Sequence, residues 1–561
     1  MLSEVLSRLT ASLEDLSPWK SLACSVGLLL IFLSIFQYAV TAARFPLYVD
    51  APGQEKKPPL VPHIAPFLGT LPLTFLWNPM QFVISSKTLF WSPHPVRVKF
   101  MGLECYIVSG AANIKSLFKA PSVTAFGFHG SFLRKAFGMS EKAAVRYSED
   151  DSGENPEPAP NSNVEPKNRM NYLTHEFFKR FLSGPTLQTL EKGLENHLTR
   201  HLLSLNVATD SGWTHIHDFM SIFKTQVTSA VVDTICGPNL IRQNPGFPDD
   251  LWTVDCGVGK LMSGLPSFLV SKPRSCRARA IQSIKRWRAW AEENSDPAQV
   301  GPGGESPYWG TEMFHSLLEI YSNMDGFDDE SVATEVLAFI WATTTNSVPS
   351  AFWACMDVFR DPELLAQVRS EVESCLIRQR SPTDEIRFDT ERLTRLPTLQ
   401  AVFAETLRLR VHGFLMRFPS KENVIINHDW SIPRDSMILM SSTPGHMNPE
   451  VWASGSCESH PVDQFHPGRF LQYSEKTNSL TFSMARAKGH WTPFGGGHHP
   501  CPGRHFSRLE ILLTIALLVT SYDCEILASE KSMAMSSQNF GFGVLDPCGE
   551  IPVSIRRRSM V

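Results

Sequence analysis

The sequence lacks both an excess of positive charge and a paired cysteine framework. Its 561 residues carry 52 basic and 56 acidic side chains, a formal net charge of −4. Nucleic-acid binding needs clustered positive charge, so this balance argues against a nucleic-acid partner. The 11 cysteines are scattered, without a CxxC pair. In a chain of this length that pattern is typical of reduced thiols, so we expect the main body to face the cytosol.

A long charge-free run is present near the N-terminus. Residues 22–43 hold no charged side chain, and about 20 apolar residues suffice to cross a bilayer as a helix. A cleaved signal peptide is the alternative, but the run is long and acidic residues precede it. We therefore predict an N-terminal segment (1–20), a transmembrane helix (21–43), a stiff proline-rich linker (44–66) and one large domain (67–561). A weak basic bias after the span favours a cytosolic body.

The large domain is predicted to be mainly α with a minor β part. Apolar residues recur at helical spacing over 186–205, 329–345 and 361–378. Short strand-like runs occur at 96–108 and 422–433. The prediction is a single large fold in which helices dominate.

One internal segment has the composition of a disordered insertion. Residues 147–169 contain six acids and four prolines and almost no apolar side chains. Such a segment cannot bury enough apolar surface to fold by itself, so we predict a disordered acidic insert.

The segment WTPFGGGHHPCPGRHF, residues 491–506, places Cys501 among glycines just before an apolar helical run. Pro502 suits the first position of a helix. The positive end of that helix's dipole would lower the pKa of the Cys501 thiol. Glycines such as Gly503 remove side-chain bulk, so the backbone can approach a large flat group. A thiolate in this setting suits the axial ligand of a haem iron.

Three alternatives remain open on the residues alone. His498, His499 and Cys501 could bind zinc, although HHxC packs three ligands tightly and no fourth ligand is obvious. Cys501 could instead be a catalytic nucleophile, which would need a neighbouring base that a third group orients. A structural cysteine in a glycine-rich turn is the third.

A family pattern favours the haem interpretation. The loop matches FxxGx[RH]xCxG at Phe494, Gly497, His499, Cys501 and Gly503. By these residues the chain resembles the cytochrome P450 family, although Ser507 stands where alanine is usual. The resemblance implies a cytochrome P450 fold that binds haem (iron protoporphyrin IX), with Cys501 as the axial iron ligand. Phe494 and Gly503 would line the cofactor, and His499 would bind a haem propionate.

Two further motifs of the family are matched upstream of the cysteine loop, in the order that the family has them. AVFAETLRLR holds Glu405 and Arg408 and resembles the family's ExxR; FHPGRF holds Arg469 and resembles FxPxRF. The i,i+3 spacing lets Glu405 and Arg408 pair on a helix. The resemblance implies a buried ion network that adds Arg469. Arg417 stands where the family often has an arginine for a haem propionate.

The helix expected opposite the cysteine departs from the usual family pattern. Thr345 and Asn346 replace the acid and the alcohol there and are our candidate catalytic residues. The pattern WAxxxNxxPxxFW resembles the subgroup of cholesterol and oxysterol 7α-hydroxylases, sterol 12α-hydroxylase and prostacyclin synthase. Pro349 lacks an N–H, so the carbonyl of Thr345 loses its helical partner and an opened turn is expected. We expect Asn346, which can donate and accept hydrogen bonds, to point into that opening.

The function that the resemblance implies is a haem-thiolate monooxygenase. It would oxidise a lipophilic substrate, such as a steroid, a terpenoid or another specialised metabolite, with O2 and electrons from NADPH–cytochrome P450 reductase. It would be a single-pass protein of the endoplasmic reticulum membrane with a cytosolic catalytic domain. The alternative is a reductase-independent isomerase or dehydratase of a peroxide-type lipid. Candidate substrate-lining segments are 122–135, 339–346, 411–417 and 538–543.

Overall fold

A computed structural model describes residues 18–49, 55–63, 78–100, 103–208, 212–301, 304–377, 386–476 and 478–558. Helices dominate the described part and strands form small sheets, which confirms the predicted mainly α fold. The described residues fall into two compact units. The smaller unit runs up to Val123 and includes Met416–Met440; the larger unit holds Thr124–Leu415 and the residues from Ser441 onward.

The helices are numbered in chain order. The smaller unit holds α1 (Pro18–Val49), α2 (Pro79–Ser85), α3 (Lys87–Phe90) and α4 (Ala111–Lys119). The larger unit holds α5 (His129–Phe132), α6 (Glu141–Glu149), α7 (Met170–Phe181), α8 (Gly184–Leu203), α9 (Phe219–Ile222), α10 (Thr228–Cys236), α11 (Asn239–Gln243), α12 (Phe247–Met262), α13 (Ser271–Asn294), α14 (Glu312–Ser322), α15 (Asp329–Thr344), α16 (Ser347–Arg360), α17 (Pro362–Glu373), α18 (Thr390–Leu393), α19 (Pro397–Arg410), α20 (Thr443–His446), α21 (Pro449–Trp452) and α22 (Arg504–Ser521).

The strands are β1 (Val96–Phe100), β2 (Leu103–Ile107), β3 (Val123–Thr124), β4 (Thr214–Ile216), β5 (Val411–Pro419), β6 (Val424–Ile426), β7 (Trp430–Ile432), β8 (Met437–Ser441), β9 (Leu471–Ser474), β10 (Ser479–Phe482), β11 (Gly495–Gly496), β12 (His499–Pro500), β13 (Tyr522–Ile526), β14 (Phe542–Val544) and β15 (Val553–Arg557). In the smaller unit β2 pairs antiparallel with β1 and parallel with β8, and β6 pairs with β7. In the larger unit β15 lies between β13 and β4. The start of β5 pairs with β14.

Helix α1 is the long apolar helix that the sequence predicts. Its apolar stretch Leu22–Leu47 has 26 residues, is not buried within the protein, and is long enough to cross a membrane. The helix nevertheless continues to Val49, so the first residues of the predicted linker are helical. Pro46 is tolerated because it lies in the last turn, where its missing N–H removes a single helical hydrogen bond. The predicted segment 1–20 lies almost wholly outside the described residues.

The described part of the predicted linker is fastened to strands rather than free. The backbone N–H of Lys56 donates to the carbonyl of Asp429 (2.9 Å), and that of Val61 donates to the carbonyl of Arg97 (2.9 Å). Arg97 returns a hydrogen bond from its own N–H to the carbonyl of Pro59 (2.8 Å). An extended segment beside an unpaired strand edge gains these bonds readily, and this explains the difference from a simple spacer.

The segment 147–169 also differs from the predicted disorder. The buried guanidinium of Arg169 donates to Ser152 Oγ (3.2 Å) and to the carbonyls of Pro156 (2.7 Å) and Asn155. Arginine has five N–H donors, so one buried arginine can satisfy several backbone carbonyls of a segment that has few apolar residues. Hydrogen bonding therefore orders what composition alone predicts to be disordered.

The core of the larger unit is built around α16 and α22, which pack against each other. From Ser347 to Phe359 every residue of α16 is buried, and so is nearly every residue of α22 after Phe506. A helix that is enclosed on all sides in this way belongs to a protein interior. Both helices begin beside segments that the sequence singles out, namely the turn at Asn346 and the loop of Cys501.

Candidate functional site

A two-residue hairpin presents Cys501. Strands β11 and β12 pair in this hairpin, in which Gly495 of β11 and Gly497 of the turn have φ angles of 66° and 74°. These left-handed conformations favour glycine. The N–H of Cys501 donates to the carbonyl of Phe494 (2.8 Å) and closes the hairpin. The glycines are therefore needed for the backbone path that carries the cysteine.

Helix α22 starts later than predicted. Its first residue is Arg504, and Pro502 and Gly503 form a turn instead of the first helical positions. Burial raises the pKa of the Cys501 thiol above its usual value, and the backbone N–H groups of Gly503 and Arg504 and the charge of Arg504 lower it by a smaller amount. The expectation of a lowered pKa is wrong for the chain by itself, because the dipole's effect is smaller than the desolvation.

The Cys501 side chain borders open space. The residue is exposed, and the protein atoms nearby desolvate its thiol enough to raise the pKa. A side chain added at Gly503 would meet no atom within 4 Å, so the space beside this turn is open as well.

The residues before the hairpin tie the loop to α19. Trp491 Nε1 donates to the carbonyl of Ala404 (3.0 Å), and the ring of Phe494 stacks on that of Phe403 at 6.4 Å. The N–H of Thr492 donates to Nε2 of His446 (3.0 Å). Burial lowers the pKa of His446 to about 3, so this imidazole is a neutral acceptor. The loop is thus held by a rigid support.

The structure brings Glu405, Arg408 and Arg469 together in a fully inaccessible network. Glu405 Oε2 accepts from Arg408 Nε (2.6 Å), and Oε1 accepts from Arg408 Nη2 (2.8 Å) and Arg469 Nη1 (2.7 Å). The N–H of His466 also donates to Oε1 (2.9 Å). The guanidinium of Arg469 also donates hydrogen bonds to four backbone carbonyls, those of Trp452, Gln464, His460 and Pro461. The network links α19 to the segment that precedes the cysteine loop.

His499 lies on β12 against the predicted insert. Its Nε2 is 3.6 Å from Oε1 of Glu154, and the ring of Phe126 meets the imidazole edge-on at 5.8 Å. Thr124 Oγ1 is 3.5 Å from the same carboxylate oxygen. No local pattern points to Glu154, because its carboxylate meets His499 only through the fold of the insert, whose carbonyls at Asn155 and Pro156 Arg169 holds. The propionate role of His499 stays a prediction.

Arg417 belongs to the smaller unit. It is buried, its Nη1 donates to the carbonyl of Met416 (2.8 Å), and its guanidinium lies 5.8 Å from the ring of Phe118. Burial lowers the pKa of Arg417 to about 10, so it stays a cation at neutral pH. Its expected contact with a haem propionate stays a prediction.

The opened turn predicted at Pro349 is present. Helix α15 ends at Thr344 and α16 begins at Ser347, so Pro349 falls in the first turn of α16, where its missing N–H is harmless. Thr345 is buried, and its hydroxyl donates to the carbonyl of Trp341 (2.9 Å). The Thr345 hydroxyl is thereby engaged by the backbone.

Asn346 does not simply point into the opened turn. Its Oδ1 accepts a hydrogen bond from the N–H of Val544 in β14 (3.0 Å). A side chain at Gly543 would collide with this oxygen, and Gly543 has a φ of 143°. The side-chain oxygen of Asn346 therefore does not point into the opened turn, as we expected, but bonds the backbone of β14. The side chain can reach β14 because Gly543, which has no side chain, lies next to it.

Sequence reasoning missed the carboxylate of Asp255. Its Oδ1 accepts from Trp341 Nε1 (2.8 Å) on α15, and its Oδ2 accepts from Asn539 Nδ2 (3.1 Å) before β14. Burial first and the charge of Asp546 second raise the pKa of Asp255 to about 7. Asp255 thus joins α12 to two of the candidate lining segments, over sequence separations that no local motif reveals.

These features define a mainly helical protein whose site is centred on one cysteine in a glycine-rich hairpin. The family model for cytochrome P450 matches residues 305–552. The chain is 30% identical to cytochrome P450 monooxygenase fsoE of Humicola fuscoatra over 91% of this chain and 89% of that protein. It is 28% identical to cytochrome P450 monooxygenase efuG of Hormonema carpetanum over 91% of each chain. The chain belongs to the cytochrome P450 family.

Similarity to an animal enzyme supports the subgroup resemblance. The chain is 25% identical to cholesterol 7-alpha-monooxygenase of Cricetulus griseus over 52% of this chain and 55% of that protein. The 7α-hydroxylase part of the predicted subgroup is thereby confirmed, at low identity. Membership also makes the chain an oxidoreductase of a family that binds haem and generally uses a redox partner and lipophilic substrates.

The cysteine site fits a haem. Cys501 is exposed, and a side chain at Gly503 would meet no atom within 4 Å, so protein atoms at these two positions do not obstruct a flat group beside a thiolate ligand. The zinc alternative is not supported: among the described residues, no group of three or more His, Cys, Asp and Glu side chains is arranged to hold a metal ion.

Proposed function

We propose that this chain is a haem-thiolate monooxygenase that oxidises a lipophilic substrate, such as a steroid, a terpenoid or another specialised metabolite. The observation that carries the proposal is the free, exposed Cys501, which a glycine hairpin presents. When bound, haem supplies the chemistry of dioxygen activation and of one-electron transfer, which side chains cannot provide. The protein's own part is to hold the sulfur, to orient the substrate and to exclude water.

Named residues divide this work. Cys501 would ligate the iron through sulfur, and the N–H groups of Gly503 and Arg504 would stabilise negative charge on that sulfur. Phe494 packs against α19 and would keep the hairpin from moving away from the cofactor. His499 and Arg417 would each donate hydrogen bonds to a haem propionate.

The opened turn would handle protons in an unusual way. Asn346 uses Oδ1 to accept from Val544, which leaves its amide N–H groups as donors. An amide cannot release a proton as a carboxylic acid does, and the Thr345 hydroxyl donates to Trp341. Asn346 would therefore hold water by hydrogen bonds, and that water would carry the proton.

We infer that α1 anchors the chain in the endoplasmic reticulum membrane as a single span, with the larger unit in the cytosol. The apolar length of α1 and the reduced state expected of scattered cysteines support this arrangement. Electrons would come from NADPH through NADPH–cytochrome P450 reductase. Glycosylation-site mapping on either side of α1 would test the orientation.

A second candidate is a reductase-independent isomerase or dehydratase of a peroxide-type lipid. The side chains of Thr345 and Asn346 favour it, since neither can release a proton as a carboxylic acid does. Turnover without NADPH and reductase would support the second candidate. Strict dependence on both would support the monooxygenase.

The test of the proposal is the Cys501→Ala variant with Cys548→Ala as the matched control. Cys548 is also an exposed free cysteine, and it lies far along the chain from the hairpin. We expect Cys501→Ala to lose the thiolate-type spectrum of the reduced carbon-monoxide complex, whereas Cys548→Ala keeps it. A thiolate-type spectrum in Cys501→Ala would refute the ligand assignment.

A further inference from the structure

His129, in α5, is an uncommitted polar side chain among aromatic rings. Its ring lies 6.3 Å from that of Phe126 and 4.9 Å from that of Tyr147, measured between centroids. Within the part of the chain that the structure describes, its ring nitrogens have no hydrogen-bond partner. The side chain is only partly enclosed, so a small group can reach these nitrogens.

The surroundings of His129 hold little charge. Burial lowers the pKa of His129 to about 4, so the imidazole is neutral at pH 7, with one donor and one acceptor nitrogen. Tyr147 donates its hydroxyl to Glu335, and burial raises the pKa of this carboxyl group to about 8. The hydroxyl of Tyr147, the ring next to His129, is therefore already engaged by Glu335.

The wall around His129 connects the cysteine loop with α15. On one side Phe126 contacts His499 of the hairpin edge-on at 5.8 Å. On the other side the ring of Phe132, in the same short helix as His129, lies 5.7 Å from that of Trp341. The next residue, Ala342, is exposed although its chain neighbours Trp341 and Thr343 are partly buried. His129 thus lies among aromatic side chains that extend from the cysteine loop to α15.

We propose that His129 hydrogen-bonds a neutral oxygen, a hydroxyl or a carbonyl, on the lipophilic substrate and so fixes its orientation. This inference rests on the proposed function and narrows its substrate class. An aromatic wall binds an apolar skeleton without specifying its orientation. A single neutral imidazole adds direction, and it favours an uncharged alcohol or ketone over both the parent hydrocarbon and a carboxylate, which would be buried without a countercharge.

The experiment compares alcohols with their parent hydrocarbons. The haem-loaded full chain in detergent is titrated with androstane and 3-androstanol, and with adamantane and 1-adamantanol, by calorimetry and by the haem spectrum. A hydrogen bond to a neutral group is worth about fivefold to tenfold in affinity. We expect the wild type to bind the alcohol of at least one pair more tightly by that factor. We expect His129→Phe to lose this preference and His129→Gln to retain part of it.

The controls separate this inference from the proposed function. His217→Phe changes a histidine whose side chain is 80% exposed, and it should keep the wild-type preference. If phenylalanine prevents folding at residue 129, His129→Ala replaces it in the same comparison. A wild type without any alcohol preference, or a preference that survives in the folded His129 variant, overturns the inference. A normal haem-thiolate spectrum in that protein leaves the proposed function standing, whereas its absence counts against that function alone.

Discussion

The buried carboxylate of Glu405 allows the sharpest test of what holds the site's support together. In Glu405→Gln the guanidinium groups of Arg408 and Arg469 stay in the interior, while the carboxylate that accepts four hydrogen bonds is lost. All three side chains have no accessible surface. Removing one partner of a buried ion pair costs about 3–5 kcal/mol, because an uncompensated charge remains. We expect a loss of that size in the free energy of unfolding.

The assay is urea unfolding of the full chain in detergent, followed by tryptophan fluorescence at pH 7. The matched control is Glu391→Gln. Glu391 pairs with Arg395 four residues later, with side chains 77% and 74% exposed. An exposed pair of this kind contributes at most about 1 kcal/mol. If Glu405→Gln lost no more stability than Glu391→Gln, the reasoning would be refuted, because the network would then be hydrated in solution.

Two further predictions concern Glu510 and Gly543. Burial raises the pKa of Glu510 from 4.5 to about 8; the folded chain therefore binds the extra proton, and stability should fall as the pH rises from 4.5 to 8. Glu510→Gln should flatten this decline in the melting temperature, and an unchanged slope would contradict the assignment. Gly543→Ala should cost about 1–3 kcal/mol, because the new methyl group strikes Asn346 at a φ of 143°. Gly193→Ala, inside α8 with ordinary contacts only, should leave the melting temperature unchanged or higher, and equal effects of both changes would count against the collision.

Local chemistry explains what the sequence could predict. The hairpin of Cys501 depends on glycines within a few positions, and the opened turn depends on the missing N–H of Pro349, three residues after Asn346. The ion pair of Glu405 and Arg408 follows from i,i+3 helical spacing. Each of these features is set by neighbours in the chain, so a pattern in the sequence can reveal it.

Long-range contacts explain what the sequence could not predict. Asp255 accepts a hydrogen bond from Trp341, 86 residues away in the chain. The carboxylate of Glu154 lies beside His499 in a segment that Arg169 holds by a hydrogen bond to the carbonyl of Pro156. No local pattern records such a meeting. The prediction that the pKa of Cys501 is lowered is wrong for a related reason. The dipole of α22 is a local property, but the desolvation that outweighs it depends on the whole fold.

The length of α1 has a consequence for the bilayers in which the chain can reside. The apolar stretch Leu22–Leu47 has 26 residues, and at the rise of an α-helix it measures about 39 Å. A typical hydrocarbon core is roughly 30 Å thick. Spanning such a bilayer would require α1 to tilt or kink, or the lipid around it to thicken, at a fraction of a kcal/mol for each ångström of mismatch. Thick, sterol-rich bilayers relieve this strain, so lipid composition by itself would influence where the protein accumulates.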